Sequence, residues 1–279
     1  MSAGSPTLLQ HVIEPLDTDV RTPSKTVVLV HGFPDSPAIW SGTSDHLIQG
    51  GYRVIRLALP GFEEGANAAP RVNFEQVVDR LHATLIHTRA VGATLVGHDW
   101  GAIFLYHLLR RHPEAAGRLV TIEIGASPRS LFTTACVLLY QTALNVAHAL
   151  GDGLGDWLMG LLCRLAPRRP DYAGRLNPRA HHGWLYRQAW REAGSEGPWP
   201  YYFRNAIAKW TPSPALPFLF LYGERGLGPL RFHSEAWRKE ITSRCAQSQT
   251  ISLPGGHWCF LESPSAFYEA LDSFLAEPI

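Results

Sequence analysis

Three short stretches hold residue types that can perform nucleophilic chemistry: Gly97-His98-Asp99-Trp100-Gly101, His31-Gly32-Phe33-Pro34 and Gly255-Gly256-His257-Trp258. The first has the form glycine–x–nucleophile–x–glycine, with aspartate at the centre of a corner between an apolar run and an amphipathic one. Its glycines suit a strained turn with little room for β-carbons, which exposes the central side chain and aims the next backbone N–H into the same space. A carboxylate so placed can attack an sp³ carbon and split one hard displacement into two easier steps. The second stretch follows an apolar strand and could offer a backbone N–H to an oxyanion. The third places a histidine on a glycine-rich loop late in the chain. Singly, each has a plainer interpretation: a turn carboxylate, a strand-ending turn, and one structural histidine among 13.

The elements that must position these residues are legible as alternating runs. "TVVLV" (26–30), "RVIRL" (53–57) and "ATLVG" (93–97) read as parallel strands buried on both faces. Helical periodicity occupies 38–49, 73–88 and 101–112, and "RLVTIEI" (118–124) reads as a further strand. Strands return at 216–223 and 249–255, followed by an amphipathic C-terminal helix. This alternation predicts an α/β fold with a mostly parallel, doubly wound sheet. Between about Ser127 and Pro214 only helical stretches rich in Trp, Tyr and Leu appear.

Composition narrows the function classes. The 279 residues are 46% hydrophobic and 18% charged, enough for one large domain with a substantial core. A formal net charge of +1 leaves no footprint for nucleic acid. The densest basic stretch, 163–170, with Arg164, Arg168 and Arg169, reads as solvated surface. Four scattered cysteines have no metal or CxxC spacing, the N-terminus lacks a signal-peptide pattern, and a cytoplasmic location is expected. No cofactor-binding or metal-ligating set is expected. The segment Leu131–Gly151 has no formal charge, but Gln141, Asn145 and His148 make a membrane span unlikely; it reads as a helix covering an apolar pocket.

With their order along the chain, the three motifs resemble the α/β-hydrolases with an aspartate nucleophile, the epoxide hydrolases and haloalkane dehalogenases. The likeness is densest in "HGFPDSPAIW", "GHDWGA" and "GGHW" and extends over nearly the whole chain. It implies an α/β-hydrolase core at 1–126 and 215–279 and a helical lid at 127–214, inserted after the sixth strand. It further implies that Asp99 forms an alkyl ester, that His257 activates a water to hydrolyse it, and that the N–H groups of Phe33 and Trp100 hold the oxyanion.

The acid partner of His257 departs from the usual pattern. Gly226 stands where the common arrangement after the penultimate strand has its acid, with Glu224 nearby. Glu123, at the end of the strand before the lid, resembles the glutamate of some dehalogenases and is preferred; Glu224, a lid acid such as Asp152, or no partner are the remaining alternatives. The family's epoxide hydrolases donate to the ring oxygen from two lid tyrosines. Tyr140 fits the first. "WPYYFRNAIAKW" resembles the segment bearing the second, where alignment on Arg204-Asn205 puts Phe203 in register and leaves Tyr201 or Tyr202 to serve.

Against a dehalogenase, the loop carries Phe33 where a second halide donor would be Asn, although Trp157, Trp184, Trp190 or Trp199 could replace it. Leu131, Val137, Leu138, Leu139, Leu144 and Val146, with Phe33 and Trp100, are expected to line an apolar pocket for a small lipophilic epoxide. The expected function is therefore epoxide hydrolysis to a vicinal diol with water as co-substrate. Haloalkane dehalogenation and a non-catalytic ligand-binding role are the alternatives, and the sequence leaves oligomeric state open.

Overall fold

The computed structural model describes residues 7–15, 22–125, 131–165, 169–193, 213–227 and 231–277. Among them seven strands form one sheet in the order β1-β3-β2-β4-β5-β6-β7. These are β1 (His11–Glu14), β2 (Thr26–Val30), β3 (Arg53–Leu57), β4 (Ala93–His98), β5 (Ala116–Ile122), β6 (Phe218–Gly223) and β7 (Gln249–Leu253). All neighbours pair in parallel except the edge strand β1, which runs antiparallel to β3. The strand before the lid, counted sixth from the sequence, is thus the fifth in chain order. β1 escapes the sequence reading because four half-exposed residues carry no apolar run.

The near-continuous apolar strands are explained by two-sided burial. Along β2, Val28 and Val30 enter one core, while Val27 and Leu29 enter the other, the alternation that strand geometry imposes. Helices α2 (Phe74–His87) and α3 (Trp100–Arg111) cover the first face. Helix α1 (Ser41–Gln49) and the C-terminal helix cover the second. Asn73 starts α2 with a capping box, accepting from the Gln76 N–H while the Gln76 side chain accepts from its own.

Helices α4 (Leu131–Leu150), α5 (Leu154–Leu165) and α6 (Trp184–Ala193) lie between β5 and β6. Among the described residues no helix is long and apolar enough to cross a membrane. The polar residues of α4 instead tie this insertion together: Gln141 Oε1 accepts the Trp190 indole N–H at 3.1 Å, and His148 Nδ1 bonds the Ala180 carbonyl at 2.9 Å. After β6 come α7 (Glu235–Arg244), a short α8 (Cys259–Glu262) and α9 (Pro264–Ala276). Helix α7 was not anticipated; its polar sequence buries only Trp237 and Ile241 and so shows little periodicity.

Sheet order turns back between β2 and β4, so the loops leaving their carboxyl ends diverge around a crevice, the usual ligand position in such sheets. The Phe33 loop follows β2, Asp99 follows β4, Glu123 follows β5, and His257 follows β7.

Candidate active site

Asp99 joins β4 directly to α3 with φ 51° and ψ −120°, a conformation that strains any side chain by about 1–3 kcal/mol. Two glycines allow the surroundings to enforce it. A β-carbon on Gly32 would lie 2.4 Å from Asp99 Cβ, and one on Gly101 would lie 2.2 Å from the Val30 carbonyl oxygen. The loop after β2 can therefore close on the corner, and the Phe33 N–H donates to Asp99 Oδ1 at 2.9 Å.

His31 keeps that loop in place. Its Nε2 accepts the Leu59 N–H at 3.1 Å, so its Nδ1–H donates to the Gly32 carbonyl at 2.9 Å. Burial lowers its pKa to about 4 and keeps it neutral. His98, likewise lowered to about 4 by burial, donates from Nε2 to the His257 carbonyl at 2.9 Å and fixes the late loop.

His257 stands between two carboxylates. Its Nε2 lies 3.6 Å from Asp99 Oδ2 and its Nδ1 lies 3.5 Å from Glu123 Oε2, slightly longer than tight hydrogen bonds. Glu123 is fully buried with φ 71°, its Oε1 accepts the Gly223 N–H, and Oε2 is left facing the imidazole. Burial works against a charged His257, but the two carboxylates outweigh it and raise the pKa to about 10. Burial equally opposes ionisation of Asp99, and contact with His257 and the Phe33 N–H prevails, holding it below the usual carboxylate range.

A pocket opens above these groups. Asp99, His257, Trp100 and Phe33 form its floor with Tyr140 from α4 and Tyr186 from α6, and Ile103, Ile124, Val137, Leu227 and Phe232 supply apolar walls. The two tyrosine rings meet edge to face at 5.9 Å, and Tyr186 meets Trp100 in the same way at 5.3 Å. Tyr140, Tyr186 and Trp100 thus form one aromatic cluster lining the pocket beside Asp99. Burial pushes both phenols upward, so both hydroxyls keep their protons.

Residues 27–270 match the model of the alpha/beta hydrolase family. The chain belongs to that family. The hydrolase is 22% identical over 275 residues to the AB hydrolase superfamily protein YfhM of Bacillus subtilis, with 91% of each chain covered. It is 29% identical over 108 residues to epoxide hydrolase A of Mycobacterium tuberculosis, covering 37% of this chain and 33% of that protein. Its fold matches that of haloalkane dehalogenase DbeA from Bradyrhizobium elkani with a TM-score of 0.65 at 19% identity, covering 90% and 89% of the two chains.

The hydrolase thus brings Asp99, His257, Glu123, Phe33, Trp100 and Tyr140 to one place. Glu224 and Asp152 are both exposed, and Asp152 lies 3.8 Å from Arg179, not beside His257. Leu139 is a correction: it is 74% exposed and points away from the pocket, as does Val146, because neighbours of Tyr140 on a helix turn to other faces. Leu144 is fully buried but packs in the core and does not line the pocket. Tyr201 and Tyr202 lie outside the described residues, as does the Leu131 side chain.

Tyr186 was missed. Its sequence "HHGWLYRQAW" looks like other aromatic lid packing, and only a phenol on the buried stripe of an amphipathic helix could have marked it. Arg169, read as solvated surface, is 8% exposed and ion-paired.

Among the described residues one group has metal-ligand reach: His82, His112 and Glu114. The two imidazoles stack 3.6 Å apart and 16° from parallel, so their in-plane lone pairs run side by side and do not converge.

Proposed function

We propose that this hydrolase opens a lipophilic epoxide to a vicinal diol through an alkyl ester on Asp99. The observation that carries this reading is that two phenols, Tyr140 and Tyr186, line the pocket that holds Asp99 and pack against each other there. Asp99 attacks a ring carbon, the C–O bond breaks, and a tyrosine donates its proton to the departing oxygen. Esterification removes the Asp99 charge, so His257 loses one of the two carboxylates that hold its proton; that proton passes to the tyrosinate, restoring the phenol and leaving His257 a base. It then takes a proton from water, hydroxide adds to the ester carbonyl, and the oxyanion formed on Oδ1 meets the Phe33 N–H, with the Trp100 N–H as second donor. On collapse the His257 imidazolium gives its proton to the departing alkyl oxygen, the diol is released, and the Asp99 carboxyl proton passes to His257, restoring both groups.

Glu123 orients His257 and stabilises its imidazolium. That carboxylate also removes the main support for a non-catalytic binding protein, the missing acid after β6. Haloalkane dehalogenation would use the same Asp99 and His257 but needs N–H donors for a halide. The Trp100 ring packs edge to face on Tyr186, Trp184 donates to the Pro60 carbonyl and Trp190 to Gln141, Trp157 is 64% exposed, and Trp199 lies outside the described residues. Among the described residues, two phenols line the pocket beside Asp99 and can give a proton to an alkoxide. The test is a panel of lipophilic and polar epoxides with matched haloalkanes, scored for diol and for halide. Diol from lipophilic epoxides is expected; halide release without diol would replace this reading with dehalogenation.

A further inference from the structure

A buried charge lies next to the candidate site at a place no catalytic step uses. Asp35 is 0% exposed, and its two oxygens reach three parts of the chain. Oδ1 accepts from Arg169 Nε at 3.0 Å, Arg169 Nη2 at 2.9 Å and the Tyr172 hydroxyl at 2.7 Å. Oδ2 accepts the Trp258 indole N–H at 2.8 Å. Arg169 continues the network, donating from Nη2 to the Pro34 carbonyl and from Nη1 to the Leu176 carbonyl, both at 3.1 Å. The Asp35 N–H closes the turn itself on the Gly32 carbonyl at 3.0 Å. Phe33 lies within that turn, and Trp258 is next to His257. One carboxylate therefore ties the oxyanion loop, the histidine loop and the segment after α5 together. An ion pair this buried is costly unless every hydrogen-bonding group around it is used, and here Arg169 makes five hydrogen bonds, the fifth from Nη2 to the Tyr172 hydroxyl.

We propose that the Asp35–Arg169 pair is a positioning device that holds the Phe33 N–H and His257 in register and acts on ester hydrolysis more than on ester formation. The inference rests on the alkyl-Asp99 reading. Formation of the ester draws on the Asp99 carboxylate and the tyrosines, which Asp35 does not touch, and it needs the Phe33 N–H only as one contact that steadies Asp99 Oδ1. Hydrolysis requires the Phe33 N–H where charge develops and His257 against water, the two groups on the loops Asp35 joins.

The experiment is rapid-quench kinetics with a lipophilic epoxide on wild type, Asp35→Asn and Arg169→Lys, following the covalent ester by intact mass. Asp35→Asn keeps the shape and removes the charge; Arg169→Lys keeps the charge and loses the two-pronged contact. Ester decay is expected to slow at least about 10-fold in Asp35→Asn and less in Arg169→Lys, with ester formation within about 3-fold of wild type. kcat and KM then fall together and kcat/KM is nearly retained. Partial unfolding would lower the amount of active enzyme without changing the ratio of the two rates, and Arg169→Lys carries the test if Asp35→Asn does not fold. Unchanged decay, or equal slowing of both steps, overturns this inference alone. Absence of ester in wild type with every epoxide overturns the Asp99 reading and this inference with it.

Discussion

Glu123 Oε2 faces His257 Nδ1 at 3.5 Å, and neither atom has another hydrogen-bond partner among the described residues. The second oxygen of Glu123 is occupied by the Gly223 N–H. This gives Glu123→Gln a definite consequence. The amide oxygen must stay with Gly223, so the NH2 group faces Nδ1 and forces it to accept. Nε2 then carries the proton and cannot take one from water. A loss of about 10²–10⁴-fold in kcat is expected, concentrated in ester hydrolysis. Near-wild-type turnover in Glu123→Gln would remove Glu123 from the mechanism.

The charge state of His257 couples stability to pH. Its folded pKa is raised from 6.5 to about 10, so the stability it contributes is fully present below about 6.5 and is lost as pH rises through about 10. Urea unfolding of wild type and His257→Gln between pH 6 and 10 reads this directly. The wild-type advantage should shrink with rising pH; a constant or widening gap would contradict it.

Tyr140 and Tyr186 are assigned to the first step only. Tyr140→Phe and Tyr186→Phe should each slow ester formation by about 10²-fold and leave decay of a preformed ester close to wild type. The phenols stay protonated well above neutral pH, so no loss of activity from their ionisation should appear between pH 7 and 9. Single-turnover alkylation rates check both statements.

The two faces of α4 have opposite roles. Val137 lines the pocket and Leu139 is exposed. Val137→Phe should raise KM or abolish activity toward bulky epoxides, whereas Leu139→Ser should leave KM unchanged. The opposite pattern would mean that α4 presents its other face to substrate.

Local signals made the core of this site legible. The Gly97–Gly101 corner, the His31 loop and the His257 loop each follow a strand legible in the sequence, and the glycines Gly32 and Gly101 beside Asp99 are demanded by contacts under 3 Å. Glu123 could be named because it closes the apolar run before the insertion, where it resembles the glutamate of some dehalogenases. Tyr186 and Arg169 could not, since their meaning lies in contacts across long sequence separations. Arg169 meets Asp35 over 134 residues, and no periodicity within 163–170 reveals it. Leu139 failed for the converse reason: an uncharged helix gives no polar face from which to tell its buried stripe.

The central claim is that Asp99 is a covalent nucleophile, and mass spectrometry of His257→Gln tests it most directly. Incubation with a reactive lipophilic epoxide should add the full mass of the epoxide to the intact chain. The label should map to the peptide carrying Asp99 and be absent from the Asp99→Ala/His257→Gln double variant. No adduct with any epoxide or haloalkane, or an adduct that survives loss of Asp99, would contradict the account.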